Sequence, residues 1–197
     1  QVGQARTGLA QVNDLAATLH DDKTLGDIEV VNAQLDMADA HWTSARDRLE
    51  DAIGKFVSSD SVPAQAYAQA LLALCYESLH QSAERDKAMA RAQALRSRIT
   101  IGLNAFDVDV AVLRVRGAMA NRQAAVEGLL ALAGGADKRH WLAKARGAQL
   151  AAVQSLEHGD DAAAATTLRK QVQARAQAHG FDWITMRLQS PAAPKAR

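Results

Sequence analysis

The chain has 197 residues, 48% of them hydrophobic and 23% charged, with a net charge of +1 and one cysteine, Cys75. That size fits one large or two small domains. A single thiol excludes an internal disulfide framework and cysteine-based zinc clusters, and the longest apolar run, Ala70 to Tyr76, falls far short of the ~20 residues that cross a bilayer.

Alanine dominates the apolar share and aromatics make up only 4%, which favours helices whose axes approach closely. The expected fold class is therefore all-α. No basic start leads into an apolar stretch and a cleavage site, so no signal peptide is read. The chain opens on Gln1, and its first helix reads as the second half of a hairpin, so it is expected to be a piece of a longer protein.

In chain order, Gln4 to Leu19 places Leu9, Val12, Leu15, Ala16 and Leu19 on one helical face. A polar turn follows at His20 to Lys23. Thr24 and Asp27 resemble a capping box, and a helix runs on to Ala38. Thr43 is expected to cap the next helix, which reaches about Val57. Ser58 to Pro63 is the strongest break in the first half, with Ser61 as N-cap and Pro63 in the first turn. Ala64 to Leu79 is helical, then, after an expanded turn at His80 to Glu84, so is Glu84 to Ile99, with a basic outer face. Phe106 to Val112 alternates in a way that suits a strand as well as a helix; helix is favoured because no partner strand is in sight. Gln123 to Ala133 is a helix stopped by Gly134-Gly135, and Asp137 caps one that runs to Glu157. After the turn at His158-Gly159-Asp160 the last long helix ends at His179-Gly180, where Phe181 can fold back on it. Asp182 to Gln189 is one more short helix, and residues 190–197 read as a flexible tail.

These eight or nine helices share a recurring phrase. A turn opens on a small residue, an alanine follows, and a large aliphatic comes four residues on. Ala45 leads to Leu49, Ala52 and Ile53; Ala88 to Ala92 and Leu95; Ala125 to Leu129 and Leu132; Ala164 to Leu168 and Val172. The four anchor alanines recur about every forty residues, a period that signals stacked helical hairpins. The hairpins are assigned to 1–22 (partial), 24–58, 63–99, 107–134 and 138–180, within one domain covering 1–189. No hairpin buries its own apolar face, so stability arises between neighbours.

The pattern resembles the tetratricopeptide-like helical repeats. The match is best at Ala40 to Ala52, and Ala73 to Tyr76 and Gly159 to Leu168 also carry it. The spacing is longer than in the standard repeat of that family. Asp36 and Arg116 also depart from it, standing where the family usually has an aromatic. The resemblance implies a right-handed α-solenoid of antiparallel hairpins. The segment Leu168 to Leu188 is similar to the last repeats of bacterial regulators that follow a serine/threonine kinase or winged-helix module, often beyond a membrane helix. That likeness implies the sensory or partner-binding end of a signalling protein.

No phosphate-binding glycine loop, His-Glu-x-x-His, Cys-x-x-Cys or Gly-x-Ser-x-Gly is present. No catalytic residue, cofactor or metal is therefore assigned, and the chain is not expected to be an enzyme. The six histidines fall mostly at turns, where a helix C-terminus favours positive charge. Cys75 reads as a buried structural thiol, and Trp42, Trp141 and Trp183 as anchors of hairpin junctions. The basic helix lacks interleaved aromatics, so nucleic acid is not expected as a partner.

The expected function is a non-catalytic protein- or peptide-binding module in a bacterial signalling or regulatory protein. A repeat stack presents a groove lined by the first helix of each hairpin; Gln34, Met37, Tyr67, Glu77, Arg114, Arg146 and Gln149 are the residues assigned to it. Its arginines suit an acidic peptide. The alternative is a small-molecule-sensing extracytoplasmic domain of a membrane kinase or transcription regulator, with an all-α enzyme as the remaining class. No membrane contact is expected within this segment, though the parent chain is open to anchoring, and the compartment, periplasmic or cytoplasmic, is left open. Charge is polarised: residues 1–60 carry 5 basic and 11 acidic side chains, net −6, and residues 138–197 carry 10 and 4, net +6. That polarity suits self-association between unlike ends.

Overall fold

The structure, a computed structural model, describes residues 2–119, 122–157, 159 and 161–189. Expectations that fall on Gln1, Asn121, His158, Asp160 and the tail 190–197 lie outside the described residues. The chain is 85% helical, with no strand among the described residues. Ten helices follow in order among these: α1 (Val2–Thr18), α2 (Asp22–Ala38), α3 (Trp42–Ser58), α4 (Val62–Ser78), α5 (Ser82–Arg96), α6 (Gly102–Ala118), α7 (Arg122–Lys138), α8 (Leu142–Glu157), α9 (Ala162–Ala178) and α10 (Asp182–Gln189). Phe106 to Val112 lies within α6 and is helical. The chain forms two compact units, Gln1–Val112 and Leu113–Arg197, divided within α6.

The helix starts keep a constant step of twenty, from Val2, Asp22, Trp42 and Val62 through to Ala162 and Asp182. The turns explain this regularity. His20, Ala40, Asp60, His80, His140 and Gly180 all have positive φ, between 49° and 69°. The residue after each donates its N–H to the carbonyl five positions back, as His41 does to Asp36 at 2.8 Å and Trp141 to Ala136 at 2.9 Å. This is the Schellman turn. Its last residue begins the next helix as well: His41, Ser61 and Gln81 are N-caps of α3, α4 and α5. A short connection therefore ends one helix and starts the next.

Several helix starts move from their expected places for this reason. Asp21, not Thr24, caps α2, accepting the Thr24 N–H at 3.0 Å. The next helix starts at Trp42, ahead of Thr43, and α5 starts at Ser82, so the turn before it is no longer than the others. Gly134-Gly135 does not stop α7, which runs to Lys138 and ends at the positive-φ His140; Asp137 lies in its last turn and does not cap α8.

The register is corrected as well. The fourth residue of every second helix is Ala45, Arg85, Ala125 and Ala165 in turn, a period of forty. The three alanines are buried. Ala164 is half-buried and one place off, while Ala88 lies three places beyond the equivalent site.

Only a minority of left-handed positions carry non-glycine residues, histidine and aspartate being tolerated there better than most. Alanine lacks a polar side chain to offset the strain, and Ala40 holds φ at 60°. Ala40→Gly is expected to stabilise the protein by about 0.5–1 kcal/mol, the left-handed strain relieved less the added freedom of the unfolded chain. Urea denaturation checks this: the midpoint should rise with no change in slope.

In the first unit, α3 packs on both α2 and α4, and α2 also meets α4 directly. α4 is apolar nearly all round, buried at Ala66 and from Ala68 to Cys75, which is the signature of a helix enclosed by neighbours. This accounts for the longest apolar run in the chain. No described helix is long and apolar enough to cross a membrane. Gly26 sits against Phe56 so closely that a Cβ there would come within 2.6 Å of the ring. In the second unit α8 takes the enclosed place, touching α7, α9 and α10. Leu150, Val153, Val172, Ala176, Ile184 and Leu188 form its core, with Phe181 folded onto it.

Candidate functional site

An alanine-rich helix stack offers few polar groups at its interfaces, so the placement of each one matters. Arginine–carboxylate pairs join neighbouring helices in both units. Arg48 on α3 donates Nε to Asp36 at 2.9 Å and Nη1 to Glu29 at 2.8 Å, both on α2, and Ser44 donates to Asp36 at 2.7 Å. The hydrogen bond to Glu29 is the largest cause raising the Arg48 pKa, so the clasp holds a permanent charge. Arg85 on α5 donates to Glu77 on α4 at 2.5 Å. Arg96 on α5 grips Asp109 on α6 with two bonds of 2.8 Å. In the second unit Arg146 on α8 pairs with Asp137 on α7, and Arg169 on α9 with Glu157 on α8. Fork-shaped pairs of this kind fix geometry as well as contributing energy.

These clasps decide where the expected groove residues lie. Glu77 is half-buried and engaged by Arg85. Arg146, expected in an exposed groove, is only 2% exposed. It is held by Asp137 and by Gln149, whose Oε1 accepts from Nη1 at 2.7 Å. Gln149 and Met37 are buried too. The correction has a physical cause. The fifth residue of α2, α4, α6 and α8 faces inward at Gly26, Ala66, Phe106 and Arg146 alike. The arginine tolerates burial because a carboxylate and an amide meet it. Arg114 is half-buried.

Two of the seven come together. Gln34 on α2 donates Nε2 to the Tyr67 hydroxyl on α4 at 2.7 Å, across 33 residues of sequence. Both are half-buried, and Val31, one turn before Gln34, is exposed. The face shared by α2 and α4 thus combines an apolar side chain, a phenol and a carboxamide. A carboxamide holds donor and acceptor capacity beyond one bond. This is the candidate functional site.

The other tyrosine behaves differently. Tyr76 donates to Glu50 at 2.7 Å, and its pKa is pushed up to about 12 by burial and by that carboxylate. Sequence reasoning misses this pair and the arginine clasps. The signal present in the chain is a carboxylate on one helix with an arginine on the next. Cys75 is a buried thiol outside any disulfide. Trp42 and Trp141 are half-buried at helix starts, with Arg139 stacked over Trp141 at 5.4 Å, whereas Trp183 is exposed. Among the described residues no three His, Cys, Asp or Glu side chains gather as ion ligands.

No known protein family, curated protein or solved structure matches this chain.

Proposed function

We propose that the chain is a non-catalytic, tetratricopeptide-like module that binds a protein or peptide on the α2–α4 face, serving a bacterial signalling or regulatory protein. The observation that carries this reading is the Gln34–Tyr67 pair. It is a polar contact between two helices, half open to solvent beside an exposed valine, in a protein that engages Arg48, Arg85, Arg96, Arg146 and Arg169 in clasps between helices. A bound segment gains hydrogen bonds from the Gln34 carboxamide, which Tyr67 holds in place, and buries Val31. Partners of that kind are neutral and polar along the main chain with an apolar side chain at intervals. This shifts the expected ligand away from a purely acidic peptide.

Peptides selected from a random display library against the purified chain supply the test, with binding mapped by amide shifts and measured by calorimetry. Tyr67→Ala and Gln34→Ala should each weaken binding about tenfold, the equivalent of one hydrogen bond. Arg91→Ala on the exposed side of α5 should leave it unchanged. A footprint on α5 around Lys87 and Arg91, with Tyr67→Ala binding as the parent does, would overturn the reading.

A further inference from the structure

Over residues 23–112 of the first unit, every lysine and arginine except Arg91 and Arg98 meets a carboxylate within 3.8 Å. Both exceptions are exposed, and both lie on one side of α5 with Lys87. Arg98 follows the helix in the turn that continues it, its N–H bonded to the Leu95 carbonyl at 3.0 Å. Spacings of four and seven residues align the three cations along about 16 Å of helix axis.

Their exposure belongs to the repeat. The sixth and tenth residues of α3, α5, α7 and α9 are exposed alike. What differs is charge. In α3 these residues are Asp47 and Asp51, each held by a cation of its own helix, Arg46 and Lys55. In α5 they are Lys87 and Arg91, like charges one turn apart, an arrangement that disfavours the helix. No carboxylate stands three or four residues from Arg91 or Arg98. The carboxylates on α5 and across its clasps are engaged: Arg85 holds Glu77 and Asp86, Arg96 holds Asp109, and Glu84 faces Lys87 at 3.8 Å.

The surroundings narrow the kind of partner. The first unit carries 10 basic and 16 acidic side chains, net −6, so the stripe is a positive island on an acidic body. That body repels a long polyanion, whereas a short anionic segment confined to the stripe escapes the repulsion. Exposed Ala83, Ala90 and Ala94 run beside the cations, and small side chains let a second helix axis approach to about 8 Å.

We propose that this side of α5 docks an acidic helix of a partner protein, its carboxylates at i, i+4 and i+11 received by Lys87, Arg91 and Arg98. Each arginine offers a two-pronged bond to a carboxylate, and docking relieves the repulsion between Lys87 and Arg91. The stripe is additional to the α2–α4 face and does not depend on it.

Fluorescence anisotropy with a labelled alanine–glutamine helical peptide tests this on the whole chain. The peptide carries three glutamates at the stated spacing; a control of the same composition carries them on three different sides of its helix. The parent chain should bind the first peptide at least about tenfold more tightly than the control, and added salt should weaken the binding. Arg91→Ala and Arg98→Ala should each weaken it about tenfold, the equivalent of one charge-assisted bond. Arg91→Ala should melt no lower than the parent, since it removes a repulsion and alanine is the better helix former. Tyr67→Ala should bind the peptide as the parent does, and a loss there would place the peptide on the α2–α4 face and overturn the proposal. Equal affinity for the two peptides, binding that survives loss of both arginines, or a parent chain that binds neither peptide also overturns it. An oligothymidylate bound through Arg91 more tightly than the peptide would overturn the acidic helix and assign the stripe to nucleic acid.

Discussion

Ala45→Glu is expected to destabilise the protein by at least about 3 kcal/mol, a carboxylate being forced into a helix contact with no partner. Ala45 has no exposed surface, and a longer side chain at a filled site adds overpacking to the charge. For a chain of this length that corresponds to a melting temperature lower by roughly 6–12 °C. The same substitution in α9 gives a sharper result, because two adjacent alanines respond differently. Ala165 is buried and Ala164 half-buried. Ala165→Glu should behave like Ala45→Glu, while the glutamate at 164 reaches solvent and should cost under about 1 kcal/mol. Thermal melts of the three variants check this. Equal losses at 164 and 165, or a larger loss at 164, would contradict the register.

Arg146→Ala is expected to cost about 2–4 kcal/mol. Removing one partner of a buried ion pair typically costs ~3–5 kcal/mol, and the value falls towards the low end here because the Asp137 side chain keeps 31% exposure and can recover water. The substitution also leaves space where the guanidinium and its stem packed. Arg146 Nε already has no hydrogen-bond partner, so the native pair is imperfect. Arg146→Met combined with Asp137→Ala should therefore recover most of the loss, since the apolar side chain fills the site and no charge is stranded. Chemical denaturation of the single and double variants measures this. An unchanged midpoint for Arg146→Ala would mean that the arginine is a surface group, as its sequence context suggests.

The all-helical class follows from alanine content and from apolar spacing at i, i+4 and i+7, as at Ala45, Leu49 and Ala52, and all three are buried. A period near forty is legible for the same reason. Its register is not, because Arg85 occupies the anchor position in α5, and a long charged side chain there reads as surface. Its partner Glu77 lies on the preceding helix, beyond the reach of any local pattern. Ala162 to Ala165 form an uninterrupted run in which nothing local separates the buried member from its neighbours. Helix starts are blurred by the turn itself. His41 and Gln81 cap without a side-chain hydrogen bond, so the usual serine, threonine or aspartate signal is missing. Gly134-Gly135 imitates a stop that packing at Ala133 and Ala136 overrides.

Of the residues that sequence reasoning assigns to a groove, Gln34 and Tyr67 meet across two helices. Arg146, Gln149 and Met37 are assigned to the same kind of surface because polarity or flexibility is commonly read as exposure. Burial reverses that inference when complementary groups lie on adjacent helices, as Asp137 does for Arg146.

The helix starts keep a constant step, and the connections at His20, Ala40, Asp60, His80, His140 and Gly180 are Schellman turns; residue-resolved native-state hydrogen exchange tests this directly. The first amides of each helix have no intrahelical acceptor. Rapid exchange should therefore recur at the helix starts, at 42–44, 64, 82–84 and 142–144. Protected stretches should lie between, including 106–112 and 132–136. Rapid exchange at Gly134-Gly135 or across 106–112, or minima that drift from the helix starts, would contradict it.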